Sequence, residues 1–485
     1  MLQLNRNEYL DKLHACWLGK NIGGTMGAPY EGRKETQDIQ GFITKSGEPL
    51  PNDDLDLQLV WLCAMEDVGP AQLNANILSE YWLDWIPPHW NEYGICKTNL
   101  RLGLLPPMSG EVDNDKWKTS NGAWIRSEIW ASLAPGAPDV AVKYAAMDAM
   151  VDHGISEGVC AEIFTASLES LAYIERDVRK LIDAALSKIP AESMTARTIR
   201  LVIDCYENGV DYRETRERVA AFNAELGWFQ APGNLGFVAI GLLYGEGDFL
   251  KSLIYAINCG DDTDCTGATV GAVLGIIGGT EAIPDALKEY VGDRILTVSI
   301  NGQYTHRIPK SCGALTDRVC ALVPNVLHAN HVPFAFTDGA TDYPANEASH
   351  WNQLTSDALL ARAPYSYDVT FYRPFQTRVE YDDTPRVDSG DLRHVTLTIT
   401  CNPGFFETTR KLGMRLILPE GWSVSRYDKT MLLEYPQPWH GIMGCVKTEF
   451  TITVGDRVES VNRAYAELTS PGLAYPIMIP MTFIG

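Results

Sequence analysis

Basic residues are scarce in this 485-residue chain, where 40 Lys and Arg stand against 62 Asp and Glu for a formal net charge of -22. That balance argues against a nucleic-acid partner, whose phosphates call for basic surface, and it disfavours a membrane surface on the same grounds. Long apolar runs are missing too, and none approaches the roughly 20 residues needed to cross a bilayer. The N-terminal stretch MLQLNRNEYLDKLHACWLG reads as an amphipathic helix start without the apolar segment of a secretory signal, so the expected location is cytoplasmic. Eleven cysteines occur without CxxC or other metal-finger spacing, which fits reduced, buried thiols and no structural disulfide. Neither GxGxxG nor a phosphate loop with its Lys-Ser/Thr pair is present, so a nucleotide cradle of those types is not expected. Internal repeats and low-complexity tracts are also missing.

What the chain does have is enough apolar material, 45% hydrophobic residues with 10% aromatics, for two or three folded domains. Its most distinctive stretch runs from Asn258 to Gly279, where Asp261, Asp262, Thr263 and Asp264 stand directly before small apolar residues. Cys265 to Ile277 reads as a buried helix. Gly267, Gly271 and Gly275 recur every four residues, which leaves one face without side chains and lets another helix lie very close. Gly19, Gly23, Gly24 and Gly27 offer the same opportunity near the N-terminus, just before Pro29 and Glu31. A second acidic helix start follows, with Asn52 as N-cap and Asp53, Asp54 and Asp56 ahead of Leu55, Leu59, Leu62 and Met65 at helical spacing. Either set of acids can cap a helix and complement its dipole, worth about 0.3 to 1 kcal/mol for each charge. Three carboxylates within four residues also repel one another unless a cation holds them, and Asp and Thr oxygens suit Mg²⁺ or Ca²⁺. Two such starts in one chain suggest one ion site with ligands from facing helices.

Elsewhere, the Trp- and Pro-rich segment from Trp82 to Pro107 can wall a sugar or base site or pack as core. The Ser120-Asn121-Gly122 turn leads into an apolar helical segment and can face a ligand or serve as an ordinary cap. Helical text continues to Leu226, and His153 at one helix end is expected to cap the dipole. Residues 326–365 read as a linker. Beyond it, Val395, Leu397 and Ile399 alternate with Thr, as do Phe450, Ile452 and Val454, which predicts a β-sandwich over residues 366–485. The expected fold class is therefore mainly α, a helical bundle over residues 1–325 followed by a smaller all-β domain.

Taken together, four motifs resemble the ADP-ribosylglycohydrolase family over about residues 8–290. They are the Gly-rich helix with Gly23, Gly27, Ala28, Pro29 and Glu31; Asn52-Asp53-Asp54; Ser120-Asn121-Gly122-Ala123 with Arg126; and Asp262-Thr263-Asp264 with Gly271. The resemblance implies an all-helical enzyme, a glycosidase with a magnesium centre acting on a ribosyl bond. It implies Asn52, Asp53, Asp54, Asp262 and Asp264 as ligands of one or two Mg²⁺ ions, with Ca²⁺ or Mn²⁺ as substitutes. Glu31 or Asp54 would then be the catalytic acid or base, and Ser120, Asn121 and Gly122 would contact the substrate. Three positions depart from the family pattern. Asn52 and Cys265 stand where Thr ligands are usual, and Gly24 stands where Asp is usual. A thiol is a poor Mg²⁺ ligand, so Thr266 or Asp261 becomes a stand-in.

These readings give a metal-dependent hydrolase of a ribosyl-type N- or O-glycosidic bond. One alternative is a glycosidase or nucleosidase for a small furanoside without ADP. Another is a non-catalytic cation- or ligand-binding relative. The expected partner is a small molecule or an ADP-ribosylated substrate, and a homo-oligomer is compatible with the sequence.

Overall fold

The computed structural model describes residues 1–343, 352–370, 375–401, 409–437 and 444–485. Within these, two compact units separate: residues 1–94 with 114–361, and residues 95–113 with 362–485.

The first unit is helical and is built on one close helix pair. Helix α1 (Arg6–Gly27) starts at Asn5, whose side-chain oxygen accepts from the Glu8 amide at 2.9 Å. Helix α2 (Asp53–Val68) follows after a long loop. The helices used below are α3 (Pro138–His153), α4 (Glu157–Ala172), α5 (Ala231–Tyr244), α6 (Phe249–Asn258), α7 (Thr263–Gly278) and α8 (Cys312–Ala329). Helix α7 runs against α1 in the opposite direction. A methyl group built on Gly19 would lie 2.1 Å from the Gly271 carbonyl oxygen, one on Gly23 2.0 Å from that of Gly267, and one on Gly27 2.1 Å from that of Thr263. The fourfold glycine spacing in both segments thus sets the register backbone to backbone. It brings the end of α1 against the start of α7, with Thr263 Oγ1 donating to the Gly27 carbonyl at 2.8 Å.

The expected linker carries structure of the helical unit. Helix α8 extends through Ala329, and strand β2 (Phe334–Thr337) pairs in parallel with β1 (Leu2–Asn5), matching Leu2 to Phe334 and Asn5 to Thr337. Lys188 holds Asp139 and the Leu354 carbonyl. The boundary therefore falls at residue 361 rather than 325, because these backbone pairs tie the later segment to the start of the chain. Residues 344–351 of that expected linker lie outside the described residues.

The second unit contains two antiparallel sheets. One has strand order β3 (Ser366–Thr370), β4 (Phe375–Tyr381), β5 (Leu392–Cys401), β9 (Cys445–Thr453), β7 (Ser423–Val424). The other has the order β11 (Ile477–Phe483), β10 (Asn462–Thr469), β6 (Arg410–Ile417), β8 (Asp428–Leu433). Val395, Leu397 and Ile399 are fully buried, as their alternation with Thr predicts. One apolar cluster combines residues of both sheets with Leu104, Met108 and Val112. Those three apolar residues explain why 95–113 belongs to this unit and not to the helical one.

Candidate active site

The helix pair dictates where the acids meet. Because Gly27 abuts Thr263, Glu31 at the end of the short turn Ala28–Tyr30 reaches the mouth of α7, where Asp262 and Asp264 flank the first turn. One ligand-capable atom each from Glu31, Asp262 and Asp264 lies within 4.8 Å of the others, and the same holds for Asp54, Asp264 and Cys265. Two acidic helix starts about two hundred residues apart therefore share Asp264.

Around this point a cavity of about 330 Å³ opens, lined by Glu31, Asp53, Asp262, Asp264 and Cys265, by the Ser120-Asn121-Gly122 turn, and by Trp90, Glu92, Tyr93 and Phe229. Each side chain has an identifiable support. Asn121 Nδ2 donates to Asp262 Oδ2 at 2.6 Å, while its oxygen accepts from Trp124 Nε1 at 3.0 Å. The Tyr93 hydroxyl donates to Asp53 Oδ2 at 3.2 Å. Phe229 sits at φ 60 and Asp261 at φ 65, a sparsely populated region for residues with a side chain, and Asp261 Oδ1 accepts from the Phe229 amide at 2.9 Å.

The electrostatics are those of acids forced together. Burial, reinforced by Asp264 and Asp53, pushes Glu31 up to about 7, and burial with Asp264 pushes Asp53 up to about 6. Asp54 and Asp262 are raised well above the usual carboxylate range, first by burial; Lys20 opposes the shift at Asp54, and Asp264 adds to it at Asp262. Lys20 itself is buried and donates to Glu128 Oε1 and to the Ile125 carbonyl, both at 2.7 Å. The buried Asp54 Oδ2 and Asp264 Oδ1 find no hydrogen-bond partner among the described residues. Carboxylates this close share protons or share a cation, and the two orphaned oxygens fit the second arrangement. Glu31, Asp262 and Asp264 supply the oxygen donors a hard divalent ion takes.

At the level of single atoms, several of the residues singled out in the sequence have further partners. Asn52 accepts from the Asp54 amide at 2.7 Å through its side-chain oxygen, a helix cap, and its Nδ2 lies 3.5 Å from Asp264 Oδ2. The stand-ins for Cys265 point elsewhere: Thr266 Oγ1 donates to the Thr263 carbonyl at 3.3 Å, and Asp261 is held by Phe229. Asp56 accepts from the Val298 and Ser299 amides at 2.7 and 2.6 Å, which fixes a loop. His153, the basic residue in the last turn of α3, is fully buried, with Nδ1 3.0 Å from Asp152 Oδ1 and Nε2 3.2 Å from Ser120 Oγ, so it also braces the Ser120 turn. Ser120 Oγ in turn donates to the Trp117 carbonyl at 2.6 Å. Asp54 is not among the residues lining the cavity.

Behind the turn, Arg126 of the Ser120-Asn121-Gly122-Ala123 motif joins a buried ionic group whose acids, Asp148 and Asp152, the sequence did not single out. Arg126 donates to Asp148 and Asp152 at 2.8 to 3.0 Å, and also to the Gly122 carbonyl, fixing the turn that lines the cavity. Arg126 and both Asp side chains are fully buried. Trp90 and Tyr93 belong to the Trp82 to Pro107 segment read as a site wall or core, whereas Glu92 was not singled out. Glu92 is pushed by burial up to about 7.

The sequence profile of the ADP-ribosylglycohydrolase family matches residues 5–320. An uncharacterised protein of Archaeoglobus fulgidus is 23% identical over 307 residues, spanning 59% of this chain and 92% of that protein. Among solved structures, an ADP-ribosylglycohydrolase-related protein complex is similar at 19% identity, covering 66% of this chain and 99% of that one with a TM-score of 0.45. A FixG-related protein from Vibrio parahaemolyticus is similar over 23% of this chain and 97% of its own, with 11% identity and a TM-score of 0.18. With most of the helical unit matched and the acids of α2 and α7 brought together at one cavity, the chain belongs to the ADP-ribosylglycohydrolase family.

Proposed function

We propose that this protein is a metal-dependent hydrolase of a ribosyl-type N- or O-glycosidic bond. The observation that carries the reading is the meeting of Glu31, Asp54, Asp262 and Asp264, from three separate stretches of sequence, around a common point beside a cavity. Members of the family are typically metal-dependent, and the orphaned carboxylate oxygens support the same need here. Glu31, Asp262 and Asp264 would hold a hard cation such as Mg²⁺, with Mn²⁺ or Ca²⁺ in the same class. When bound, that cation would orient furanose hydroxyls and make a coordinated water more acidic.

The chain's own groups supply the rest. In the metal-free site burial and its acidic neighbours push Glu31 up to about 7; a bound cation would draw that value down, so Glu31 would act as a carboxylate that takes a proton from water. Asp54 is closed off behind Cys265, so the proton-transfer role falls to Glu31 and Asp54 acts as an electrostatic support. Asn121 locks Asp262, and the Ser120-Asn121-Gly122 turn forms the wall against which a sugar rests. Trp90, Tyr93 and Phe229 offer ring surface to its apolar face.

A second reading changes only the substrate. Among the described residues lining the cavity none is Lys, Arg or His, whereas five are Asp or Glu. A diphosphate would meet repulsion there, which favours a neutral furanoside or nucleoside over an ADP-ribosyl group. Product analysis on ADP-ribosyl protein, nucleosides and simple furanosides, with Mg²⁺ present, tests both. Hydrolysis of at least one of these, lost in a folded Asp262→Asn variant, is expected. Full activity in that variant would overturn the assignment. A melting point raised by Mg²⁺ with no turnover would identify a non-catalytic cation-binding relative.

A further inference from the structure

The second ligand group, Asp54, Asp264 and Cys265, does not look like a magnesium site. Sγ of Cys265 lies 3.3 Å from Asp54 Oδ1, and Cys265 is 5% exposed and Asp54 1%. The orphaned Asp54 Oδ2 and Asp264 Oδ1 belong to two of the three residues of this group, so each of its carboxylates carries a buried acceptor atom with no partner among the described residues. Leaving a buried acceptor unpaired is costly, more so for a charged group, and a cation bound by these carboxylates would relieve that cost. Among the described residues, the hydroxyls of Thr263 and Thr266 donate to backbone carbonyls and Asp261 Oδ1 accepts from the Phe229 amide, so these three turn to partners outside this group. Mg²⁺ demands oxygen ligands in near-ideal octahedral geometry, whereas thiolate sulfur selects borderline and soft ions.

We propose that Cys265, as a thiolate, together with Asp54 and Asp264, takes a borderline divalent cation of the Zn²⁺, Co²⁺ and Cd²⁺ class. Glu31, Asp262 and Asp264 form the neighbouring hard-cation group. The step balances by proton release: the S–H bond breaks, its proton leaves to solvent, and the electron pair stays on sulfur to form the bond to the metal. The ion's charge favours the thiolate in surroundings that otherwise keep the thiol protonated. The inference rests on the metal-dependent reading above and adds the identity of one ion.

Co²⁺ titrated into the metal-stripped full chain is the probe. A near-ultraviolet sulfur-to-cobalt charge-transfer band is expected in the wild type and lost in Cys265→Ser. The same substitution should lower Zn²⁺ affinity at least about 10-fold while leaving Mg²⁺ affinity unchanged, since loss of even an indirect metal contact costs about 10- to 100-fold. Should Cys265→Ser fail to fold, zinc X-ray absorption on the wild type replaces it, with a sulfur shell at about 2.3 Å expected. Co²⁺ or Zn²⁺ bound with oxygen and nitrogen neighbours only would overturn the sulfur assignment and leave the hydrolase reading standing. Failure to bind any of Co²⁺, Zn²⁺, Mg²⁺ and Mn²⁺ would overturn both.

Discussion

Replacing Gly23 with Ala sets two effects of opposite sign against each other, and the structure says which wins. In an exposed helix interior the change stabilises by about 0.8 to 1 kcal/mol, because Ala loses less backbone freedom than Gly. Here the new methyl would lie 2.0 Å from the Gly267 carbonyl oxygen, 2.2 Å from its carbonyl carbon and 2.7 Å from the Ala268 nitrogen, whereas ordinary contact begins at 3.4 Å. All three neighbours are backbone, so no rotamer change relieves the clash, and α1 and α7 must separate by more than an ångström. Overpacking of a close-packed core costs about 1 to 3 kcal/mol, with rigid neighbours at the upper end. The net expectation is a loss of about 2 kcal/mol, or roughly 3 °C in melting temperature for a unit of this size. Because the same contact brings Glu31 to Asp264, the variant should also lose most of the stabilisation that a divalent cation gives. Gly302→Ala, which meets nothing within 4 Å, is the control and should be neutral. Thermal melts with and without Mn²⁺ measure both quantities. A Gly23→Ala protein as stable as the wild type, with an unchanged response to Mn²⁺, would refute the close-contact account of how the site is assembled.

Two further outcomes follow from the crowded carboxyls at the cavity and from the buried Arg126 group. Glu31 and Asp53 have raised values in the folded state, so their protonated forms favour folding at low pH and that contribution is lost as pH rises through about 6 to 7. The metal-stripped protein should therefore lose stability between pH 5 and about 7.5, and the melting-temperature gain from Mg²⁺ should grow over the same interval. A gain independent of pH would mean that these carboxyls do not face the ion. Arg126→Ala leaves Asp148 and Asp152 buried without their cation and should cost about 3 to 5 kcal/mol in denaturant unfolding, while a cost below about 1 kcal/mol would show the group to be dispensable.

Much of the site could be read in the sequence because two simple periodicities carry it. Glycines every four residues on two separate helices specify a contact that only backbone can make, and acids placed at the adjoining helix ends are then carried to the same point. Strand alternation around Val395 and Ile452 was legible for the same reason, a period of two on a half-buried surface. What escaped depends on contacts between segments with no period in common. Glu92 reaches the cavity from a helix start whose sequence carries no metal or turn signal. Residues 334–337 look like loop text because a parallel partner at the extreme N-terminus completes their pairing. The direction of the Asn52 amide is a choice between two hydrogen bonds that no spacing encodes, and the helix start wins it because the Asp54 amide would otherwise lie unpaired.

The most direct test of the central claim, that Asp264 joins two acidic helix starts around a divalent ion, is calorimetric titration of Mn²⁺ into the metal-stripped wild type and into Asp264→Asn. This account predicts saturable binding in the wild type and its loss in a variant that stays folded, since Asp264 contributes to both ligand groups. Equal Mn²⁺ affinity in the two proteins would contradict it.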